Sequence, residues 1–329
     1  MKKRALVTLL TASVIAMAMG VGFHAEEEKT DWNWPSKEEL NIGYAQADLS
    51  STWRTVENED LQAACDAEGI PLTIVNAEGD TSQQLTDVES LINQGCNVII
   101  ITAIDADAIQ PALDQCRDKK IPVMLKSRGS NGVPGVDYVF FMASDFVFEG
   151  ESAANWIEAV AEEKGIEELN VAEIQGVIGG TDVRDRSEGF HKVAEEAGNV
   201  NFIAQQSANW SRTEAQELAA NIIQSNPEVN VFYCHNDEMA LGVSLACQSA
   251  GLTINEDVYV LGVDGMKESL DAIKDGAQSC SITCTPKFGT PYVEHILEGC
   301  AGEELETYYK VDDKTVDINN VDEFYELGF

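Results

Sequence analysis

The sequence predicts an α/β protein built from two similar, doubly wound parallel-sheet domains. Two observations support this fold class: short apolar runs of strand length alternate with helical patterns, and this alternation occurs in two successive rounds. The strand-length runs are apolar on both faces, which is typical of parallel sheets that helices cover on either side. A chain of 329 residues is long enough for one large or two medium-sized domains.

The first round contains five predicted strands separated by helices. Gly69 and Gly95 directly follow helical patterns, as glycine commonly does at helix C-termini. The predicted strands are 40–45, 72–75, 98–102, 122–125 and 138–142, and the predicted helices are about 52–68, 81–94 and 107–119.

The second round has the same alternation and ends in an acidic tail. Residues 311 and 316–318 are candidates for edge strands, and the last ten residues for a short helix. The predicted strands are 171–174, 202–205, 229–234, 258–263 and 279–283, and the predicted helices are about 146–164, 184–198, 212–225, 238–250, 266–275 and 287–299.

The N-terminus has the pattern of an export signal over residues 1–25. Lys2, Lys3 and Arg4 precede a run of apolar or small residues, and acidic residues then end that run. The alternative is a membrane anchor, for which the run is short. No cysteine follows the run to carry a lipid. The sequence therefore predicts an exported protein of the periplasm or extracytoplasmic cell surface.

The chain is strongly acidic. Its formal net charge is −36, which becomes −39 once the three basic residues of the signal are removed. This charge argues against nucleic acid or an anionic membrane as a partner. The eight cysteines leave two alternatives open, small buried apolar residues or a disulfide framework. No C-x-x-C pair occurs and only four histidines are present, so we expect no metal site.

Catalytic motifs are missing from the sequence. There is no G-x-S-x-G, H-E-x-x-H or Ser/Lys motif, and the histidines have no evident nucleophile as partner. We therefore expect neither an enzyme nor a cofactor.

The candidates for ligand binding are the residues that follow the strands, because ligands of open parallel sheets bind beyond the carboxyl ends of the strands. Residues 232–242 run from a strand into a helix, with Asn236 and Asp237 at the junction. The Asn236 amide can bridge neighbouring hydroxyls, whereas Asp237 is expected to cap the helix. Asp264 follows another strand, where its carboxylate either accepts hydroxyl hydrogen bonds or closes a capping turn.

Aromatic and cationic side chains follow other strands. Trp53 and Arg54 open a helix and suit the apolar face and the hydroxyls of a sugar. Alternatively, Trp53 packs the helix onto the sheet and Arg54 is solvated. Arg128 follows the fourth strand, either in the site or in an exposed turn. Trp210 precedes a helix and Arg184 lies one turn into another, and we expect both to face the crevice.

Four segments together resemble one known family. They are VAEIQGVIGGTDVRDRSEGF at 171–190, CHNDEMALG at 234–242, VLGVDG at 260–265 and MASD at 142–145. From about residue 40 to 311 the chain is similar to the type I periplasmic sugar-binding proteins, the ribose- and galactose-binding group that serves ABC importers. STWR at 51–54 is most similar to the galactofuranose-binding members.

The resemblance implies a set of ligand-binding residues. Gln46, Thr102 and Ser127 are further candidates, although Ser127 stands where the family has Asp, and Thr102 where it has Asn. Cys284 stands where some ribose binders have Gln. The residues implied most directly are Trp53, Arg54, Arg128, Arg184, Trp210, Asn236 and Asp264.

The resemblance also implies two lobes joined by a three-segment hinge that closes on the ligand. The first lobe is 40–143 plus 285–309, and the second is 144–284 plus 310–329. The implied function is an exported, monomeric solute-binding protein that captures a monosaccharide, for example a furanose such as galactofuranose, and delivers it to the permease of a membrane ABC importer. The alternative is a sensory receptor of the same fold that presents a sugar or a small signal to a membrane kinase or chemoreceptor.

Overall fold

The computed structural model describes residues 29–49 and 51–329, which form two lobes. The predicted signal peptide, residues 1–25, lies outside the described residues. Within the described ranges, no helix is both long enough and apolar enough to cross a membrane. The eight cysteines are free thiols, and all except Cys300 are buried. This arrangement favours the apolar interpretation of the cysteines over a disulfide framework.

The first lobe begins with strands and helices close to their predicted positions. The third helix starts later than predicted, because the Asp105 side chain accepts hydrogen bonds from the backbone N–H groups of Asp107 and Ala108 and holds a turn there. The elements are β1 (Ile42–Gln46), α1 (Thr52–Glu68), β2 (Leu72–Asn76), α2 (Thr81–Asn93), β3 (Val98–Ile101), α3 (Gln110–Asp118), β4 (Val123–Lys126) and β5 (Phe141–Ser144).

The second lobe continues the alternation. Its second helix starts three residues earlier than predicted, directly after Gly180, which takes the N-cap position in an extended conformation. The elements are α4 (Phe146–Lys164), β6 (Leu169–Gln175), α5 (Thr181–Ala197), β7 (Val200–Ser207), α6 (Arg212–Ser225), β8 (Val231–Cys234), α7 (Asp237–Ser249), β9 (Tyr259–Asp264), α8 (Lys267–Lys274) and β10 (Cys280–Thr283).

The chain then returns to the first lobe and ends in the second. The last elements are α9 (Gly289–Cys300), β11 (Tyr308–Val311), β12 (Thr315–Asp317) and α10 (Val321–Phe324). The first sheet has the order β11-β5-β4-β3-β1-β2 and is parallel throughout. The second has the order β12-β10-β9-β8-β6-β7, in which only β12 is antiparallel. The predicted fold class is confirmed.

Each sheet is covered by helices on both faces. In the first lobe, α1 and α9 pack on one face and α2 and α3 on the other. In the second lobe, α4 and α5 pack on one face and α6 and α7 on the other. Because apolar side chains leave both faces of every inner strand, each strand reads as a continuous apolar run in the sequence.

The chain crosses between the lobes three times, after β5, β10 and β11. Strand β11 pairs with β5 through the register Lys310 to Ala143 and Val311 to Ser144. The first lobe therefore extends to 144 and 311, one and two residues beyond the predicted boundaries at 143 and 309. The difference arises because the edge strand β11 continues its hydrogen bonding to the end of β5.

Candidate functional site

The carboxyl ends of the strands in both lobes border one cavity between the lobes. Six of the seven residues that the resemblance implies line it, together with Ser127: Trp53, Arg54, Arg128, Trp210, Asn236 and Asp264. The other lining residues are Asp48, Ser51, Ser144, Phe146, Asp182, Arg186, Cys284 and Phe288. Arg184, Gln46 and Thr102 do not line this cavity.

Trp53 forms the part of the cavity wall that α1 contributes. Ser51 caps this helix, because its Oγ accepts a hydrogen bond from the Arg54 backbone N–H at 3.3 Å. The Trp53 indole N–H donates to the Cys284 carbonyl at 2.6 Å, in the hinge segment after β10. The Arg54 guanidinium carbon lies 4.7 Å from the centre of the same indole. These contacts fix the orientation of the ring.

Trp210 lines the cavity from the loop between β7 and α6. Asn209 and Trp210 both have left-handed backbone conformations, with φ of 52° and 64°. The indole lies directly on Gly176, where an added Cβ would come within 2.0 Å of the ring, so that glycine is required there. The Trp210 Nε1 is buried and has no hydrogen-bond partner within the described part of the chain.

Arg54 belongs to a buried network behind the cavity wall. Its Nη1 donates to Glu57 Oε2 at 3.0 Å and to Ser127 Oγ at 2.5 Å. Glu57 also accepts a hydrogen bond from Lys126 Nζ at 2.9 Å, and both side chains are fully buried. Burial alone would raise the pKa of Glu57, but Lys126 and Arg54 outweigh burial and lower the pKa to about 2. Glu57 is therefore an anion that holds two cations in place.

Gln46 and Thr102 lie beneath the cavity in this same network. Gln46 Nε2 donates to the Tyr44 hydroxyl at 2.8 Å and to Glu57 at 3.0 Å. The Thr102 hydroxyl lies 2.7 Å from that of Tyr44 and donates to the Lys126 carbonyl at 2.8 Å. The expectation that Gln46 and Thr102 contact ligand is thus not supported by their positions, because neighbouring polar groups already use their side chains.

Arg128 spans the two lobes at the cavity. Its Nε donates to Asp182 Oδ2 on α5 at 2.7 Å, and its Nη1 lies 3.7 Å from Asp48 of the first lobe. The guanidinium carbon is 5.6 Å from the centre of the Trp210 ring. The backbone N–H of the next residue, Gly129, donates to the Thr181 hydroxyl at 3.1 Å. The lobes are therefore in direct contact around Arg128, as in a closed binding protein.

The arginine of α5 that lines this cavity is Arg186, whereas Arg184 lines a neighbouring cavity between the lobes, together with Asp107 and Asn131 of the first lobe. Asp182 and Arg186 are four residues apart and share one helix face, whereas Arg184 lies about 200° around the helix from each. The Arg184 side chain is 55% exposed and pairs with Asp185 at 2.6 Å. The spacing of Asp182 and Arg186 was the sequence signal that could have located both cavity residues.

Arg186 is held by the packing of α4 against α5. Its Nε pairs with Glu149 at 2.6 Å, and its Nη1 donates to the His235 carbonyl at 2.7 Å. The two helices touch closely at Gly150 and Gly189: a Cβ on Gly150 would lie 2.1 Å from the Arg186 carbonyl oxygen. This close approach fixes the rotation of α5 and so decides which of its side chains reach the cavity.

The residue that caps α7 is Asn236 and not Asp237, which was expected to cap it. Asn236 caps α7, since its Oδ1 accepts from the Met239 N–H at 2.9 Å, and its Nδ2 side remains for the cavity. Asp237 is fully buried and accepts hydrogen bonds from the N–H groups of Gly265 and Met266, both at 2.9 Å. Burial raises the pKa of Asp237 to about 6, although these hydrogen bonds oppose that effect.

Asp264 ends β9 at the cavity. Its φ of 130° is rare for a residue with a side chain, so the backbone is strained where this carboxylate meets the cavity. Burial, and then the nearby Asp237, raise the pKa of Asp264 well above its usual value, and Arg186 opposes this shift. Asp237 and Met266 thus anchor the turn that positions Asp264.

Within residues 29–49 and 51–329, no group of three or more His, Cys, Asp or Glu side chains is arranged to hold a metal ion. What the cavity offers instead is two indoles, three guanidinium groups, an amide and several carboxylates, which together suit a polyhydroxylated ligand.

Comparison with known proteins gives one consistent result. The family described as "periplasmic binding protein domain" matches residues 42–288. The ribose import binding protein of Bacillus subtilis is 32% identical over 305 residues, 90% of this chain and 94% of that protein. The galactofuranose-binding protein of Escherichia coli is 29% identical over 255 residues, 77% of this chain and 79% of that protein. A crystal structure from Mycobacterium smegmatis in complex with β-D-fucofuranose has a TM-score of 0.83 at 25% identity, covering 88% of this chain and 96% of that chain.

Two lobes that enclose a cavity at the carboxyl ends of their sheets define a solute-binding protein of type I architecture. The chain belongs to the periplasmic binding protein family. This result confirms the resemblance found in the sequence and the expectation that the protein binds a solute and is not an enzyme.

Proposed function

We propose that this protein is an exported receptor that binds a neutral monosaccharide between its lobes and delivers it to the permease of a membrane ABC importer. The observation that carries the proposal is the pairing of Trp53 and Trp210, which line one cavity from opposite lobes. Indole faces cover the apolar C–H faces of sugar rings. The Asn236 amide and the Asp264 carboxylate then serve the ring hydroxyls as donor and acceptor.

The charge of the cavity favours a neutral ligand. Each of its three arginines has a close carboxylate partner: Arg54 with Glu57 at 3.0 Å, Arg128 with Asp182 at 2.7 Å and Arg186 with Glu149 at 2.6 Å. A ligand that carries a net charge would add an uncompensated charge to a buried, balanced site, which is unfavourable.

We propose a furanose, such as galactofuranose, as the first ligand to test. Two of the three compared proteins bind a furanose according to their descriptions, galactofuranose in one and β-D-fucofuranose in the other. The third is a ribose import binding protein, so ribose is the next ligand to test.

Closure of the lobes provides the link to the importer. The cross-lobe hydrogen bonds of Arg128 and Gly129 define one closed surface for a membrane partner to recognise. We propose that the receptor acts as a monomer in the periplasm or at the extracytoplasmic cell surface. Light scattering behind a sizing column measures its mass, and a stable dimer would contradict the monomer.

A ligand screen tests the proposal directly. A sugar that binds the native protein raises its thermal midpoint, so the screen covers monosaccharides in furanose-rich and pyranose-rich forms. Trp210→Ala and Asp264→Ala should abolish the shift. The exposed control Lys192→Ala, whose side chain pairs with Glu151 outside the cavity, should keep the shift. The assignment fails if no sugar shifts the wild type, or if both cavity variants respond like it.

A transport measurement tests the partner. Cells that lack this protein should lose high-affinity uptake of the sugar found in the screen. Unchanged uptake, together with loss of a transcriptional or chemotactic response to that sugar, would favour the sensory receptor instead.

A further inference from the structure

Asp182 enters the cavity from the second lobe and pairs with an arginine of the first. Its Oδ2 accepts a hydrogen bond from Arg128 Nε at 2.7 Å, and the two side chains are only 7% and 6% exposed. Asp48 of the first lobe lies farther away, 3.7 Å from Arg128 Nη1. Asp182 is thus the nearer of the two carboxylates beside this guanidinium.

The cavity places Asp182 among three cations. Burial raises the pKa of Asp182, but Arg128, Arg186 and Arg54 outweigh burial and hold the pKa below its ordinary value. The carboxylate is therefore ionised at neutral pH. Its other oxygen, Oδ1, accepts a hydrogen bond from the Val183 N–H at 3.0 Å, so the group is fixed in position.

The three arginines do not depend on Asp182 equally. Arg54 keeps Glu57, and Arg186 keeps Glu149, as close partners outside the cavity lining. Arg128 has Asp182 as its closest partner, and that partner itself faces the cavity. Removing the Asp182 charge would leave the buried Arg128 guanidinium with the more distant Asp48 as its remaining carboxylate neighbour among the described residues. A buried guanidinium in that situation is a strong site for a ligand carboxylate.

We propose that Asp182 is a specificity-determining residue that excludes acidic sugars, such as uronates and aldonates, from the cavity. Its carboxylate occupies the place on Arg128 that a ligand carboxylate would otherwise take. An acidic sugar would bring a second anion beside Asp182 in a buried site, where like charges repel strongly, whereas a neutral sugar meets no such repulsion. The inference rests on the proposed function, because it requires that the cavity binds a sugar.

Calorimetric titration of the mature protein tests the inference. The neutral probe is the sugar that gives the largest thermal shift, and the acidic probes are D-galacturonate, D-glucuronate and D-ribonate. Wild type should bind the neutral sugar and none of the acids. Asp182→Asn and Asp182→Ser should each raise the ratio of acid to neutral affinity at least tenfold for one or more acids. An unchanged ratio in both variants overturns the inference.

The matched control is Asp185→Asn. It removes the same charge from the same helix, but Asp185 pairs with Arg184 outside the cavity. Its ratio of acid to neutral affinity should equal that of wild type. If the ratio rises as much as in the Asp182 variants, net charge and not Asp182 excludes acids.

Thermal midpoints establish that the variants are folded. Wild type alone also decides, since tight binding of an acidic probe overturns the inference without any variant. If wild type binds none of the neutral sugars, the proposed function is overturned instead.

Discussion

The two walls of the cavity differ in how completely their polar groups are paired. On the first-lobe wall, Arg54, Glu57 and Lys126 form one buried network in which each charge has an opposite partner. Among the described residues, Trp210 Nε1, Glu149 Oε1 and His235 Nδ1 of the second lobe are buried without a hydrogen-bond partner, and so is the Tyr292 hydroxyl of the first lobe. Unpaired buried polar groups destabilise a fold. The comparison indicates that the charges of the Arg54, Glu57 and Lys126 network are paired with one another, while the Trp210 indole keeps an unused hydrogen-bond donor.

The carboxylates of the two walls also differ in pKa. In the first lobe, two neighbouring cations lower the pKa of Glu57 to about 2 despite its burial. In the second lobe, burial raises the pKa of Asp237 to about 6, and its partners there are neutral N–H and O–H groups. Glu57 is thus stabilised as an anion and Asp237 in its protonated form, so these two residues should change the stability in opposite directions as the pH varies.

The largest expected effect is on stability and comes from Glu57→Gln. The substitution leaves Lys126 and Arg54 buried without their counter-ion, which should lower the free energy of unfolding by about 3–5 kcal/mol at pH 7. Urea unfolding followed by fluorescence and circular dichroism measures it. Glu149→Gln is the matched change in the second lobe and should cost less, because it leaves one cation, Arg186, without its partner. Equal losses would contradict the difference between the walls.

Acid should remove stability through Glu57. Its folded pKa of about 2 lies below the ordinary 4.5, so its contribution is present above pH 4.5 and is lost as pH falls toward 2. The shift corresponds to about 3 kcal/mol. Urea midpoints measured between pH 7 and pH 2 should fall steeply for wild type and less steeply for Glu57→Gln. Parallel curves would show that Glu57 does not carry the acid sensitivity.

Asp237 should give the opposite slope. Its folded pKa of about 6 lies above the ordinary 3.8, so its contribution is present below pH 3.8 and is lost as pH rises through 6. The free energy of unfolding of wild type should therefore fall by up to about 3 kcal/mol between pH 4 and pH 6 because of Asp237. Asp237→Asn should abolish this fall. The same urea series measures it, and a variant curve parallel to wild type over this range would contradict the assignment.

The difference between the residues that the sequence placed in this cavity and Arg186, which it did not, follows from what fixes a side chain in space. Arg128, Asn236 and Asp264 lie at or within two residues of the ends of parallel strands, so their positions depend mainly on where each strand ends. Arg184 is on a helix, where the face that reaches the cavity depends on the rotation of the helix. That rotation is set by the contact of α4 with α5 at Gly150, which only the folded structure reveals.

The buried network below the first wall was hidden for a related reason. Gln46 and Thr102 end strands, as ligand-binding residues do, but Glu57 on α1 lies beneath them, and the network around Tyr44 draws both side chains away from the cavity. A glutamate within a helical pattern, such as Glu57, is predicted to be solvent-exposed unless its buried partner Lys126 is known. The alternation of strands and helices, by contrast, was readable because the apolar runs repeat at regular intervals along the chain.

The two arginines of α5 give a paired affinity test. Arg186→Lys keeps the charge but loses the forked geometry at the cavity, so sugar affinity should fall by about 10- to 100-fold. Arg184→Lys changes an exposed side chain outside the cavity and should leave affinity within about twofold of wild type. Calorimetric titration with the sugar from the screen measures both. A larger loss for Arg184→Lys would mean that Arg184, and not Arg186, holds the ligand.

The smallest expected effect compares the two indole N–H groups. Trp53→Phe removes the 2.6 Å hydrogen bond to the Cys284 carbonyl, which should lower the free energy of unfolding of the ligand-free protein by about 1 kcal/mol beyond the loss of ring area. Trp210→Phe removes a buried N–H that has no partner among the described residues, so the loss of ring area is offset by relief of an unsatisfied donor. Urea unfolding should therefore rank Trp53→Phe as the more damaging change. The reverse order would mean that Trp210 Nε1 is hydrogen-bonded in solution.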